Sequence, residues 1–431
     1  MKVLVVGNGG REHALTWKLL QSQRIRQVIC IPGNGGTANT ERCQNVPLRV
    51  DDFEGIARFA VVQNVSLVVV GPEIPLALGI TNYLQQQQHV QPNLKVFGPT
   101  KEGAKIESSK HWAKTLMQEA GISTPKCAVF TEAEEAFSYL KTQTAPIVVK
   151  ADGLAAGKGV TVAATLLEAQ AAVNSLFKSG FNPVVIEEYI TGQEVSILAL
   201  TDGISVRSLL PAQDHKRIGE GDTGENTGGM GAIAPAPIVT PDLMERIEKE
   251  ILQPTVDSLR QRGIKYQGIL YAGLMITPQG DPMVLEFNCR FGDPETQAIL
   301  PLLETPLEDL LLACVQQKLS QMPAIKWKPG VAVSVVAAAG GYPGTYQKGQ
   351  VITGIEQAEA LGAKVFCAGT QMKQQKLLTD GGRVLNVTAT GATFDEAIAA
   401  AYAAMDCIQF EGMYYRKDIG HHVAQTGSMP V

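Results

Sequence analysis

Residues 150–160 read KADGLAAGKGV. The stretch carries the glycines and lysine of a phosphate-binding P-loop without its spacing, G-x-x-x-x-G-K-[ST]. Three residues, not four, separate Gly153 from Gly157, and Lys158 is followed by Gly159 where a hydroxyl would have reached a magnesium ion. The fold must be one that offers a loop of small residues between two lysines, and the flanks say which. PIVVK (146–150) reads as a strand ending on Lys150; VTVA (160–163), a helix over 166–178 and VVIEEYI (184–190) follow. With a strand at 127–130 and a helix at 132–141, they predict a compact α+β unit from Gly121 to Ile190.

Upstream, short β-branched runs at 2–6, 27–31, 66–70 and 94–97 alternate with segments of helical spacing at 12–22, 53–62 and 76–88. Such alternation predicts right-handed βαβ units and a parallel, Rossmann-like sheet. A helix over 108–120 enters the α+β unit. Downstream come strands at 195–200 and 205–211, a polar glycine-rich loop at 213–232, a helix over 241–262, and paired strands at 268–276 and 282–291. IKWKPG (325–330) reads as a linker to a last small α/β unit. The expected domains are therefore 1–103, 104–326 with a lid subdomain at about 121–190, and 327–431.

Composition narrows the functions. The chain has 431 residues, 45% apolar and 18% charged, as in an ordinary soluble globular protein. A net charge of −5 argues against an extended nucleic-acid footprint. Seven scattered cysteines with no C-x-x-C pair fit free thiols in a reducing compartment. No signal peptide is visible, and the longest apolar runs fall far short of the ~20 residues that span a bilayer. A cytoplasmic protein without membrane or nucleic-acid partners is expected.

Several loops carry candidate chemistry. GNGGREHA (7–14) follows a strand and opens a helix, where backbone N–H groups favour an anion. The dinucleotide fingerprint fails, since G-x-G-x-x-G would need glycine at Glu12 and the second strand ends in Pro32-Gly33 without an acid. A merely tight turn is the alternative. GPEIPLALG (71–79) puts Glu73 at the same sheet edge, as a ligand contact or as a solvent-facing acid. Lys150 ends its strand at the small-residue loop, which is either a lid or a flexible turn. Glu187 and Glu194 are acids for that lid or for a solvated strand surface. In EFNCRFGDPETQ (286–297), residues two apart share a strand face, so Glu286 and Asn288 point together as a hard cation requires, and Arg290 continues the face as an anion clamp. The loop 213–232, with Asp214, Lys216 and Arg217, reads as a substrate loop.

A lysine-ended strand, a glycine loop, an acid-ended strand and a Glu-x-Asn strand, in that order, resemble the ATP-grasp ligases. The whole chain is similar to the phosphoribosylamine–glycine ligase family within them. It carries VGNGGREHAL, VGPE-PL, KADGLAAGKGV, QDHKR, GDTG-NTGGMGA, EFNCRFGDPETQ, AAGGYPG, GGRVLNVTA and RKDIG in order. The resemblance implies a central ATP-grasp fold and a ligase of purine biosynthesis. It would join glycine to 5-phosphoribosylamine with ATP, through glycyl phosphate. It implies Lys110, Lys150, Gly153, Gly157, Lys158 and Gly159 at the ATP phosphates, Glu187 and the backbone near Ile190 at adenine, and Glu194 at the ribose. Glu286 and Asn288 would carry Mg2+ (or Mn2+). Gly9, Gly10, Arg11, Glu12, Glu73, Asp214, Lys216, Arg290, Asp293 and Pro294 would bind the substrates, with Lys150, Arg290 and Asp214 catalytic, in a monomer. Two departures stand out: no second metal carboxylate lies in 268–276, and Glu225 replaces an expected proline. Another ATP-grasp ligase or carboxylase of purine synthesis is a rival reading, against which EFNCRFGDPETQ and QDHKR argue. A NAD-dependent oxidoreductase is the other, weakened by the broken fingerprint.

The N-terminal loop generates a test. In Gly9→Val a side chain blocks backbone approach to a phosphate. The apparent KM for phosphoribosylamine should rise far more than that for ATP in steady-state assays, and equal effects would remove the loop from the phosphoribosyl site.

Overall fold

The protein is described from a computed structural model covering residues 1–87, 91–155 and 159–424. Its N-terminal sheet is parallel, in the order Cys43–Asn45, Gln27–Pro32, Lys2–Gly7, Leu67–Val70, Lys95–Phe97. The continuous apolar runs follow from burial on both faces: Leu4 and Val6 enter one core, Val3 and Val5 another. At its end Gly7, with φ +128°, turns the chain into the helix Gly10–Leu20. The expected α+β unit forms an antiparallel sheet ordered Cys127–Phe130, Val184–Glu188, Ile147–Ala151, Val160–Ala163. Helices Ala133–Leu140 and Leu166–Lys178 close its separate small core of Leu140, Val149, Val173 and Ile186.

The central antiparallel sheet runs Val206–Ser208, Gln193–Thr201, Gly268–Ile276, Pro282–Asn288. It too is covered on both sides: Val195, Ile197 and Ala199 join one core, Leu198 and Leu200 the other. The α/β fold class expected from the alternation of elements is the one observed. No helix among the described residues is long and apolar enough to cross a membrane, and all seven cysteines are free.

Three local readings differ from the structure. The helix expected over 108–120 is present as Lys110–Glu119, but a separate helix, Lys101–Ser108, precedes it without having been anticipated. Ser109 between them is extended, and its Oγ accepts from Trp112 N as an N-cap. The helix expected over 241–262 carries a π turn at Glu248–Leu252 between Pro241–Ile247 and Gln253–Gln261. Pro254 has no N–H to continue the regular ladder there. Most consequential, the polar loop 213–232 contains strands. Gln213–Asp214 and Gly231–Ala234 pair into the C-terminal sheet with Val331–Ala338, Arg383–Gly391 and Lys364–Cys367, while Arg217–Gly219 and Thr223–Asn226 form a hairpin. Ala232, Ile233 and Ala234 are fully buried, so this pairing is driven by packing that a glycine-rich sequence conceals.

The first helix is locked to the C-terminal sheet. His13 Nδ1 accepts from Cys367 N at 2.9 Å, and Asn34 Nδ2 donates to Cys367 O at 2.7 Å and Asn8 O at 3.0 Å. Burial pushes His13 down from 6.5 to about 4. Between those values the unfolded chain takes up a proton that the folded chain refuses, so stability is intact above pH 6.5 and falls as pH drops toward 4. By the value of one pKa unit, the loss is about 3 kcal/mol. His13→Gln, which keeps an acceptor, should flatten the denaturant-measured fall in stability across this window by about that amount; an unchanged slope would mean that His13 titrates normally.

Candidate active site

A cleft of about 2510 Å³ is lined by residues of the lid, central and C-terminal sheets and by Asn8, Gly9, Pro72 and Glu73 beyond the strand ends of the N-terminal sheet. At one end a buried charge triad stands. Glu187, 2% exposed, lies between Lys150 Nζ at 2.7 Å and Lys114 Nζ at 3.1 Å. It is thus no solvated surface acid. Lys150 also donates to Leu285 O at 3.2 Å, so that among the described residues one of its three N–H groups has no partner. Burial lowers Lys114, with Glu187 opposing. Lys110 Nζ donates to Gly153 O at 3.2 Å. A Cβ on Gly159 would stand 2.6 Å from Ala155 Cβ, so the arms of the small-residue loop close on each other there. Gly157 and Lys158, and with them the middle of the expected lid, lie outside the described residues. Ile190 and Glu194 line the cleft, with Glu194 held by Lys216 at 2.7 Å.

The Glu-x-Asn strand faces the cleft as alternation predicts, with Glu286 opposite Gly273 on the neighbouring strand. Burial pushes the Glu286 carboxyl up, but Lys216, Lys150 and Lys110 outweigh it and hold it below the usual range. No described cation is within ion-pairing distance of it. An ionised carboxylate without a direct partner, two residues from the amide oxygen of Asn288, is a hard-oxygen donor set that fits a divalent cation sharing phosphate oxygens. No group of three or more His, Cys, Asp or Glu that could hold a metal occurs among the described residues. Arg290 is more engaged than a free anion clamp: it pairs with Glu107 at 3.0 Å and Glu73 at 3.3 Å, and donates to Asn288 Oδ1 at 3.2 Å. Burial would lower its pKa, but Glu107 and Glu73 raise it. Glu73 is thus a partner of Arg290 rather than a solvent-facing acid.

At the other end the GNGGREHA loop folds over its own acid. Glu12 Oε2 accepts from Gly9 N at 2.6 Å, the acidic half of a capping box, and Oε1 accepts from Arg11 Nε at 2.5 Å. A Cβ on Gly71 would lie 1.9 Å from Glu12 Oε1, so the crossing strand needs glycine there. Asp293 Oδ2 accepts from Arg11 N at 3.2 Å. A phosphate would therefore meet a helix start whose donors are partly taken. Gly10 and Pro294, expected at the substrate, are buried behind the cleft wall, because Gly10 packs on Gln297 and Asn386 and Pro294 on Gly229. Asp214, Lys216 and Asp293 line the cleft.

The comparisons with known proteins decide the family. Models of phosphoribosylglycinamide synthetase match its N domain at residues 1–107, its ATP-grasp (A) domain at 108–296 and its C domain at 332–422. The chain belongs to the phosphoribosylamine–glycine ligase family. It is 66% identical over 428 residues to the ligase of Nostoc sp., covering 98% of this chain and 100% of that one. Identity to the Synechocystis sp. ligase is 56%, over 98% and 99% of the two chains. The solved phosphoribosylamine–glycine ligase of Thermotoga maritima superposes with a TM-score of 0.83 at 35% identity, over 97% of this chain and 100% of that one. A biotin carboxylase from Campylobacter jejuni shares the fold alone, with a TM-score of 0.70 at 16% identity over 98% and 95% of the chains. Members of the family are ATP-dependent carbon–nitrogen ligases of purine biosynthesis, and this chain is one.

Sequence reasoning passed over four polar residues of the ligase cleft. Lys114 was findable, since it lies four residues after Lys110 and so on the same helix face. Glu295 and Arg383 sit inside quoted motifs without an assigned role. Arg383 donates to Asp293 O at 2.8 Å and pairs with its carboxylate at 3.4 Å. Glu107 carried no signal at all. The triad supplies a test. Glu187→Gln leaves two buried ammonium groups without a counter-charge, which costs about 3–5 kcal/mol. A clearly lowered melting temperature together with a raised KM for ATP is expected, and an unchanged melting curve would mean that the lysines are solvated.

Proposed function

We propose that this cleft carries out the family's reaction with the residues just placed. ATP, glycine and 5-phosphoribosylamine give ADP, phosphate and glycinamide ribonucleotide. Glycine's carboxylate is a poor electrophile; it attacks the γ-phosphorus, ADP leaves, and glycyl phosphate forms. The amine of phosphoribosylamine then attacks the acyl carbon, phosphate leaves, and the amine's proton is lost. The observation that supports this reading best is Glu286: half-buried on the cleft wall, held ionised by the field of three lysines and directly paired with no described cation.

Lys110 and Lys150 would bind the phosphates, the segment through Glu187 and Ile190 would receive adenine, and Glu194 would meet the ribose. Glu286 and Asn288 would hold Mg2+ (or Mn2+), which when bound neutralises phosphate charge. Lys150 and Arg290 add fixed positive charge beside the transferring group, where preorganised charges act strongly. Gly9, Arg11 and Asp293 would line the phosphoribosylamine end, with Glu12 and Arg383 holding that end in shape, and Lys216 would stand beside Glu194. No side-chain nucleophile is required, because the carboxylate of glycine is phosphorylated directly.

Glu286→Gln keeps size and removes the charge that attracts the cation. Cation charge stabilisation in phosphoryl transfer is worth several kcal/mol, so turnover should fall about a hundredfold or more. The Mg2+ requirement should rise while the melting temperature stays close to the parent's. A variant that melts early yet turns over normally at low Mg2+ would make Glu286 a structural acid.

A further inference from the structure

The hairpin formed by Arg217–Gly219 and Thr223–Asn226 borders the cleft through Arg217 and Asn226. It follows directly on Lys216, whose Nζ meets Glu194 at 2.7 Å. Its own pairing is poor. Arg217 faces Asn226 and Gly219 faces Thr223 with a register irregularity between them, and glycine stands at 219, 221 and 224. A two-stranded hairpin of that kind is marginal in water by itself. Its shape has to be fixed from outside.

The support comes from residue 416, which lies 199 positions beyond Arg217. Arg416 is 1% exposed and, among the described residues, the bulkiest side chain to be fully buried. Its guanidinium forks onto Asp418, Nε to Oδ1 and Nη2 to Oδ2 at 2.7 Å each. Nη1 donates to Arg217 O at 3.1 Å and to Asp222 Oδ1 at 2.7 Å. Asp418 Oδ2 also accepts from Gly221 N at 2.8 Å, and Tyr414 Oη donates to Ile218 O at 2.8 Å. The clamping segment is itself tied to the C-terminal domain: Tyr414 bridges to Ala338, and Tyr402 Oη donates to Arg416 O at 2.8 Å. A buried cation is costly unless acceptors surround it, so it favours the one arrangement in which they do.

That arrangement bears on Lys216. Lys216 O accepts from Thr227 N at 2.8 Å and Thr227 Oγ1 at 2.9 Å, and the next carbonyl, of Arg217, accepts from Arg416. Two successive carbonyls are thus held, one from the base of the hairpin and one from the C-terminal domain. We propose that Arg416 is a positioning residue for the ligase, which through the Arg217 carbonyl sets Lys216 against Glu194, the acid that would meet the ribose of ATP. The proposal rests on the ligase reading above and adds to it a residue that acts through another.

Steady-state assays and calorimetric titration with ATP test it. The parent must first release ADP with glycine and phosphoribosylamine; if it does not, the ligase reading fails and the positioning role with it. With that release established, Arg416→Gln should weaken ATP binding and raise the KM for ATP about tenfold, as for loss of charged hydrogen bonds, with kcat lowered less. A merely structural arginine would reduce the folded fraction, which scales kcat and leaves KM unchanged. Lys216→Met should raise the KM for ATP by itself, and adding Arg416→Gln should raise it no further, because residues that act through one another are not additive. Where Arg416→Gln fails to fold, Asp222→Ala decides, since that side chain is 65% exposed and its loss removes one bond to the guanidinium. It should raise the KM for ATP about threefold, and only while Lys216 is present. Unchanged ATP affinity in the folded variant, or an effect that adds fully to that of Lys216→Met, would overturn the proposal and leave Arg416 a structural clamp.

Discussion

One carboxylate between two ammonium groups sets the geometry of the lid end of the cleft. Glu187 lies on a strand of the lid sheet, Lys150 on its neighbour, and Lys114 on the helix that precedes both. Burying three charges is expensive, and their mutual attraction does little more than offset that cost. What the arrangement contributes is specificity, because a displacement of any one element would strand a charge in apolar surroundings. The lid sheet has its own small core. It is therefore tied to the preceding helix by this triad more than by shared apolar packing, which lets a self-contained unit keep a fixed set of cations over the cleft.

The same division of labour recurs toward the strand of Glu286 and Asn288. Arg290 is held by Glu107 and Glu73, so its position is set before any ligand arrives. Glu286 receives the field of three lysines but direct contact from none. Preorganised cations around an unpaired acid suit a site whose polyanionic ligand arrives with its own counter-ion. Engaged groups give the site its shape, and unengaged ones await a ligand.

The C-terminal sheet takes part in the cleft rather than standing beside it. It takes Gly231–Ala234 beside Val331–Ala338 and Gln213–Asp214 beyond it at the edge, and from it Arg383 reaches Asp293. Cys367 joins it to the first helix through His13 and Asn34. The polar loop that carries Asp214 and Lys216 is therefore positioned by β pairing with a segment about a hundred residues further along the chain.

The sequence by itself determined the element types, the parallel N-terminal sheet and the α/β class, because strands buried on both faces must be continuously apolar and helices must keep their spacing. It also put Glu286 and Asn288 on one strand face, since alternation is a property of the backbone. The motifs in order were enough to recognise the family. Tertiary structure alone decided which charges meet. Nothing local marks Glu107 as the partner of Arg290, Glu187 as the counter-ion of two lysines, or Gly10 as packing rather than lining. Nor does glycine-rich polarity reveal that 231–234 is a buried strand. Pairing partners are chosen by contacts between residues far apart in the chain, and a single sequence records what each residue is but not which distant residue it will face.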